Sequence, residues 1–320
     1  MNTNKNFYDV AIIGGGSAGL AAAQALGRSR RSVVVIDAGQ PRNAVAKGVH
    51  NFLTRDGVPP LELLRLGREE LAPYGTEFRF TRATSYSRGV ENFEITLEEG
   101  AAVTAARIIL AAGVRDTLPE IGGLEAFWGK NVLHCPYCHG WEVQDQNIAV
   151  LDSEFAIHQA QMFRQLSKSI TLYTAPGREI EASELEKLNA RGIKIVEREI
   201  VAVRGSDNHL THLVFADGTE DQVDALVIMP RFSAEIPGLT ELGLQATAHP
   251  SGIGTYVSTD DFGKTEVPGL WVAGSLRDPM AQVVLAAGDG LRVGAMVNAD
   301  IIESDIQRDL TAYRAALPVS

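Results

Sequence analysis

Apolar positions along the chain change period in a regular order. Phe7–Ile13 is a β-branched-rich run that reads as a strand, and a glycine-rich stretch, Gly14-Gly15-Gly16-Ser17-Ala18-Gly19, separates it from a helical pattern over 20–26. Residues 32–36 form a second strand, ending at Asp37. Pro60–Leu71 has helical spacing, and residues 76–110 alternate like antiparallel strands, with a turn at Glu98-Glu99-Gly100 after Phe93–Leu97. The run 108–113 is a buried strand that ends in a glycine turn at Ala111-Ala112-Gly113. The order then starts again, with a strand over Asn147–Leu151, a helix over 155–166, a strand over 169–173 and a helix over 184–190. Strands and hairpins over 193–203 and 210–228 cover that second unit. A last strand over 269–275 runs into a glycine turn and a helix over 284–302. Strands alternating with helices predict an α/β protein with two Rossmann-like domains.

The first glycine stretch carries a ligand as well as a turn. In a strand–glycine–helix unit, Gly14 makes the turn, Gly16 admits a pyrophosphate, Gly19 lets helix and strand pack, and Asp37 is placed for ribose hydroxyls. The second start lacks this equipment. It reads Leu151-Asp152-Ser153-Glu154-Phe155-Ala156, so side chains fill the space a pyrophosphate needs, and two acids face a helix N-terminus that would otherwise attract phosphate. No arginine for a 2′-phosphate stands in Tyr173-Thr174-Ala175-Pro176. The second domain is expected to keep the fold without the nucleotide.

Both of the chain's two cysteines lie in His134-Cys135-Pro136-Tyr137-Cys138-His139-Gly140-Trp141-Glu142. Cys-x-x-Cys is the spacing of a reversible disulfide, and a helix N-terminus or a protonated histidine stabilises the attacking thiolate. Three other readings fit the same residues: c-type haem attachment through Cys-x-x-Cys-His, a zinc site completed by His134 and His139, and a pair of inert core thiols. Export goes with the first, poor tetrahedral closure weighs against the second, and the flanking histidines against the third. No metal is expected. His139 can take and return protons near neutral pH, while His134 either shares that task or bonds to backbone.

Composition narrows the setting. A chain of 320 residues with a net charge of −11 predicts about two domains and no nucleic-acid partner. The N-terminal residues carry no apolar signal region and no stretch long enough to span a membrane. A cytoplasmic protein is therefore expected, and a lone disulfide there is more often catalytic than structural.

Together, the Gly14 to Gly19 motif, Ala111-Ala112-Gly113, the embedded Cys-x-x-Cys and Val272-Ala273-Gly274 resemble the low-molecular-weight thioredoxin reductase family over nearly the whole chain. The resemblance implies a homodimer whose FAD domain, 1–115 and 249–320, is split by a pyridine-nucleotide-type domain over 116–248. It implies an FAD site drawn from Gly14, Gly16, Ser17, Ala18, Gly19, Asp37, Arg42, Asn43, Asn51, Ala112, Gly113, Gly274, Ser275, Gln282 and Val283. It also implies that Cys138 is the flavin-proximal thiol and Cys135 the one that exchanges with substrate. The chain departs from NADPH-using members in lacking the second glycine motif and the arginine pair, in having His139 where an acid is usual, and in having Ser275 for an aspartate. In combining Cys135-Pro136-Tyr137-Cys138-His139-Gly140-Trp141-Glu142 with no second nucleotide site it resembles the dithiol oxidases that form the disulfides of gliotoxin, holomycin and romidepsin. The implied activity is oxidation of a small-molecule dithiol with O2 as acceptor. A thioredoxin reductase-like enzyme fed by NADPH or another donor, and a non-catalytic flavin redox sensor, remain alternatives.

Overall fold

A computed structural model describes residues 7–317; the expectation for the first six residues lies outside them. Six α-helices occur among the described residues: α1 Ser17–Arg28, α2 Pro60–Leu71, α3 Pro136–His139, α4 Ala156–Phe163, α5 Ala182–Ala190 and α6 Val283–Ala315. The chain divides into two compact units. One holds the residues up to Arg42, Leu61–Arg115 and the part from Phe232 onward; the other holds Asn43–Pro60 and Asp116–Arg231. The chain thus returns to the first unit at Phe232, where 249 was expected, and 43–60 sits in the second unit.

The first unit is built on a seven-stranded sheet in the order 77–79, 33–36, 7–13, 102–110, 93–97, 83–88, with 270–272 also paired to 102–110. Two of its parallel strands, Val33–Ile36 and Leu270–Val272, are buried at every position, which is why both are apolar throughout. Ser32, expected in the second strand, stands just before it: its carbonyl accepts Val10 N–H at 3.2 Å, and its N–H and hydroxyl donate to Asp9 at 2.7 and 2.8 Å, clamping two neighbouring strand starts. Helices α1 and α6 cover this sheet around Leu26, Trp271, Val293 and Val297. They approach so closely that a Cβ on Gly290 would lie 2.0 Å from the Ala18 carbonyl oxygen. Helix α6 runs past the expected end at 302 to Ala315, through a polar stretch that the apolar periodicity does not mark.

The second unit has a five-stranded parallel sheet in the order 194–197, 169–174, 147–151, 225–227, 132–133, with a separate three-stranded antiparallel sheet over 200–222. Apolar clusters lie around Val132, Leu213 and Phe215, and around Val150, Phe163 and Leu172. No helix among the described residues is long and apolar enough to cross a membrane.

Candidate functional site

In the first unit the strand register sets a ligand cradle. Ile13 is level with Ile36 and Leu110, and Leu110 with Val272, so Gly14, Asp37, Ala111 and Ala273 stand in one row just past the strand ends. Backbone bonds fix that row: Gly14 N–H donates to Ile36 O and Ala111 N–H to Ile13 O, both at 2.8 Å, and Ala273 N–H to Leu110 O at 2.9 Å. Strand 7–13 lies between 33–36 and 102–110, so the strand order reverses at this crevice, which is where open α/β sheets bind ligands.

The glycines divide by purpose. A Cβ on Gly14, whose φ is +107°, would lie 2.5 Å from Ala111 O, and one on Gly19 would lie 1.9 Å from Gly14 O, so both positions are required by the fold itself. Gly16 faces open space, with nothing within 4 Å of its Cβ position. It caps α1, whose first turn, opened by Ser17 and the buried Ala18, has no side-chain cap and no acid. Its N–H groups are therefore left for an anion such as a pyrophosphate. A Cβ on Gly15 would meet Asp37 Oδ2 at 2.7 Å, which places that carboxylate beside the turn. These residues fit a dinucleotide.

The remaining predicted residues of this unit lie at the other strand ends. Ala112 and Gly113 follow strand 102–110, and the Cβ position of Gly113 is 3.2 Å from Ser275 Oγ. Gly274 has φ +73°, and Gln282 caps α6 ahead of Val283, again with no side-chain cap and no acid in the first turn. Arg42 has its guanidinium 4.6 Å from the centre of the Phe232 ring. One residue not anticipated is Asp289. On α6 it accepts Gly274 N–H at 2.8 Å and donors from Arg277 and Arg292, each at 2.7 Å, so a half-buried ion pair pins the Gly274 turn. Only its spacing ahead of Arg292 was visible in the chain.

The redox turn belongs to the second unit. Strand Val132–Leu133 pairs with Ala225–Val227 and delivers His134 and Cys135 just beyond the sheet edge. Pro136 opens α3, where a missing N–H costs nothing. Cys135 caps the helix and is disulfide-bonded to Cys138, and Cys138 N–H donates to Cys135 Sγ at 3.1 Å. The same N–H would stabilise a Cys135 thiolate after reduction. Gln159 of α4, buried, donates through Nε2 to His134 O at 3.2 Å and to Ile228 O at 3.1 Å, fixing the backbone before the first cysteine. The His134 ring stacks on Trp128, with centroids 5.6 Å apart. Burial pushes the His139 imidazole below its ordinary pKa, with the positive charge of His50 and Lys47 acting in the same direction and Glu142 opposing. His139 is therefore ready as a neutral base near pH 7.

The predicted cofactor residues Asn43 and Asn51 fall in this unit, on the segment over 43–60. Asn51 Nδ2 donates to the backbone oxygen of Tyr137, between the two cysteines, at 2.5 Å. His50, not singled out from the sequence, is 3.2 Å from Glu142 through Nε2 and 3.3 Å from Asp56 through Nδ1.

Where a nucleotide would enter the second unit, the space is spoken for. Asp152, just past strand 147–151, accepts Ala175 N–H at 2.9 Å and forms an ion pair with Arg178. Arg178 lies beyond the 173–176 segment searched for a 2′-phosphate partner, and its guanidinium is held by that carboxylate. Glu154 stands exposed just before α4.

A dinucleotide cradle in one α/β unit and a helix-capped disulfide in a second define a flavin-dependent thiol/disulfide oxidoreductase. The chain belongs to the pyridine nucleotide-disulphide oxidoreductase family, whose model matches residues 8–290. It is similar to thioredoxin reductase sirT of Leptosphaeria maculans, 31% identical over 324 residues that cover 96% of this chain and 98% of that protein. It is also similar to thioredoxin reductase tcpT of Claviceps purpurea, 29% identical with both chains fully covered. Among solved structures, HlmI superposes with a TM-score of 0.88 at 35% identity, covering 98% of this chain and 99% of that one. An oxidoreductase from Agrobacterium tumefaciens gives 0.86 at 35%, covering 92% and 98%. The resemblance to thioredoxin reductases read from the motifs therefore holds across the chain.

Proposed function

We propose that this protein is an FAD-dependent dithiol oxidase that closes a disulfide in a small-molecule dithiol and passes the electrons to O2. The observation that carries the reading is the contrast between the two units. Gly16 opens onto free space at an uncapped helix start, whereas Asp152 closes the equivalent mouth of the second unit onto Ala175 and Arg178. A reductase needs a nucleotide donor there, and a dithiol-fed enzyme does not.

In this reading a substrate thiolate attacks Cys135 Sγ, and Cys138 leaves as a thiolate. The second substrate thiol then attacks the sulfur joined to Cys135, forming the product disulfide and releasing Cys135. Two electrons have moved from substrate to the pair, and His139 takes a proton from an attacking thiol. Gly14, Gly16, Gly19, Asp37 and the Gly274 turn would hold FAD, which when bound would supply the two-electron acceptor for the reduced pair and the outlet to O2 as H2O2. A homodimeric enzyme goes with this reading, on the strength of the family resemblance.

The test is to mix anaerobic protein with a simple dithiol, and separately with NADPH or NADH, and follow the oxidised flavin band. The expected outcome is bleaching by the dithiol, reversed by air with release of peroxide, and no prompt bleaching by micromolar NADPH. Fast bleaching by NADPH would instead make the protein a nucleotide-fed reductase.

A further inference from the structure

The backbone entering the disulfide turn is gripped by a side chain from another element of the same unit. Strand Val132–Leu133 pairs with Ala225–Val227, and Ile228 N–H donates to Leu133 O at 2.9 Å. One residue further along, the carbonyls of His134 and Ile228 both accept from Nε2 of Gln159, at 3.2 and 3.1 Å. Two carbonyl oxygens can share one amide nitrogen but repel an amide oxygen, so chemistry fixes which way this side chain faces. Its Oε1 is buried and has no hydrogen-bond partner among the described residues. An unmet buried acceptor is destabilising, and the grip on two strand ends has to offset it. The grip stands on a firm base: Gln159 N–H donates to Phe155 O at 2.9 Å, and Ala156, Ala160 and Phe163 bury the same face of α4.

On the other side of the His134 peptide is Cys135 itself. Its backbone is extended, at φ −106° and ψ 117°, as an N-cap requires, and its Sγ accepts Cys138 N–H at 3.1 Å. We propose that Gln159 is a positioning residue of the disulfide site: by fixing the His134 carbonyl it holds Cys135 in its N-cap conformation, with the sulfur against the Cys138 N–H. The inference rests on thiol–disulfide exchange at Cys135 as the chemistry of this turn. When that sulfur is released it carries negative charge, and the N–H that meets it stabilises the thiolate. Gln159 acts on it through one peptide group, so its effect is on the reactivity of the thiol as well as on the packing of α4.

The test uses flavin-loaded protein carrying Cys138→Ser, in which Cys135 is the lone thiol and keeps the backbone N–H of residue 138. Cys135 is partly exposed, so its alkylation by iodoacetamide can be followed as a function of pH. Adding Gln159→Met fills a similar space without a donor. The midpoint of the profile should then move up, and alkylation at neutral pH should slow roughly fivefold, the worth of one N-cap bond. Gln159→Glu separates positioning from packing. Its neutral carboxyl keeps one donor for the carbonyls, its ionised form offers acceptors only, and burial delays the ionisation. This variant should react at the parent's rate on the acid side and fall towards the methionine variant as the pH rises. The ionisable side chains on the turn and on α4, His134, Tyr137, His139 and His158, are the same in all three proteins and act on every profile alike. A loosened core alone would lower the melting point and leave the profile where it was. Coincident profiles, or faster alkylation in Gln159→Met, overturn the proposal. If the methionine variant fails to fold, the pH-dependent slowing of Gln159→Glu decides it alone, its absence being the overturning result. The dithiol oxidase reading is tested apart, on protein with both cysteines: failure of dithiothreitol to reduce that protein removes the reading and leaves the alkylation result standing.

Discussion

Cys135→Ser and Cys138→Ser proteins should each fold, keep their flavin, and have dithiol oxidation reduced to the uncatalysed background. The fold is expected to survive because Cys135 acts as the N-cap of α3 through a sulfur that accepts Cys138 N–H at 3.1 Å, and serine is a preferred residue at that position. Activity should not survive, because one thiol cannot form the internal disulfide that receives two electrons. The pair then separates by reactivity. The remaining Cys135 in Cys138→Ser still has the backbone N–H of residue 138 directed at its sulfur, so it should be alkylated faster at neutral pH than Cys138 in Cys135→Ser. On the roles that the family resemblance implies, a long-wavelength charge-transfer band should appear in Cys135→Ser and not in Cys138→Ser. Full turnover in either variant would remove the disulfide from the mechanism, and the reverse pattern of colour would exchange the two roles.

Much of this site was legible because its parts are local in the chain. The strand, the glycines and Asp37 fall within a few tens of residues, and a Cys-x-x-Cys needs no partner from elsewhere. The turn at Gly274 was legible for the same reason, since an apolar strand runs straight into it. What escaped reading depends on residues that meet only after folding. His50 reaches Glu142 from a polar, turn-rich segment without periodicity, and nothing in its neighbours marks the segment as belonging with the second unit. Arg178 was passed over because the 2′-phosphate position was sought at the end of strand 169–174, whereas the chain makes a turn first and returns the guanidinium to Asp152. Gln159 looked like one polar position on an amphipathic helix, and its two carbonyl partners come from different strand ends. The last turns of α6 were invisible for a simpler reason: past Ile301 the helix is mostly solvent-facing, so its length is carried by helix-forming polar residues and not by an apolar stripe.

Gly16→Leu should give a folded but colourless protein, whereas Gly19→Ala should damage the fold itself. The two glycines lie in one turn, yet the structure gives them opposite surroundings. At Gly16 the backbone is extended, with φ −74°, and the Cβ position meets nothing within 4 Å, so a leucine fits the protein without clash. What it occupies is the open space in front of the α1 N–H groups, where the cofactor's pyrophosphate belongs. Losing that approach should weaken flavin binding by orders of magnitude, at about 1.4 kcal/mol per tenfold. At Gly19 a methyl group would lie 1.9 Å from the Gly14 carbonyl oxygen, a backbone atom whose own position is set by the Gly14 N–H bond to Ile36 O. Relief there requires α1 to move away from strand 7–13, opening the packing around Ile12, Leu26 and Trp271. Thermal unfolding of flavin-stripped parent and variants checks this, because comparison without flavin removes the stabilisation that ligand binding adds. Gly16→Leu should melt close to the stripped parent, and Gly19→Ala well below it. Stoichiometric flavin in purified Gly16→Leu would move the cofactor away from the N-terminal glycine turn, and an unchanged melting point for Gly19→Ala would mean that the helix and strand are not held as closely as their backbones indicate.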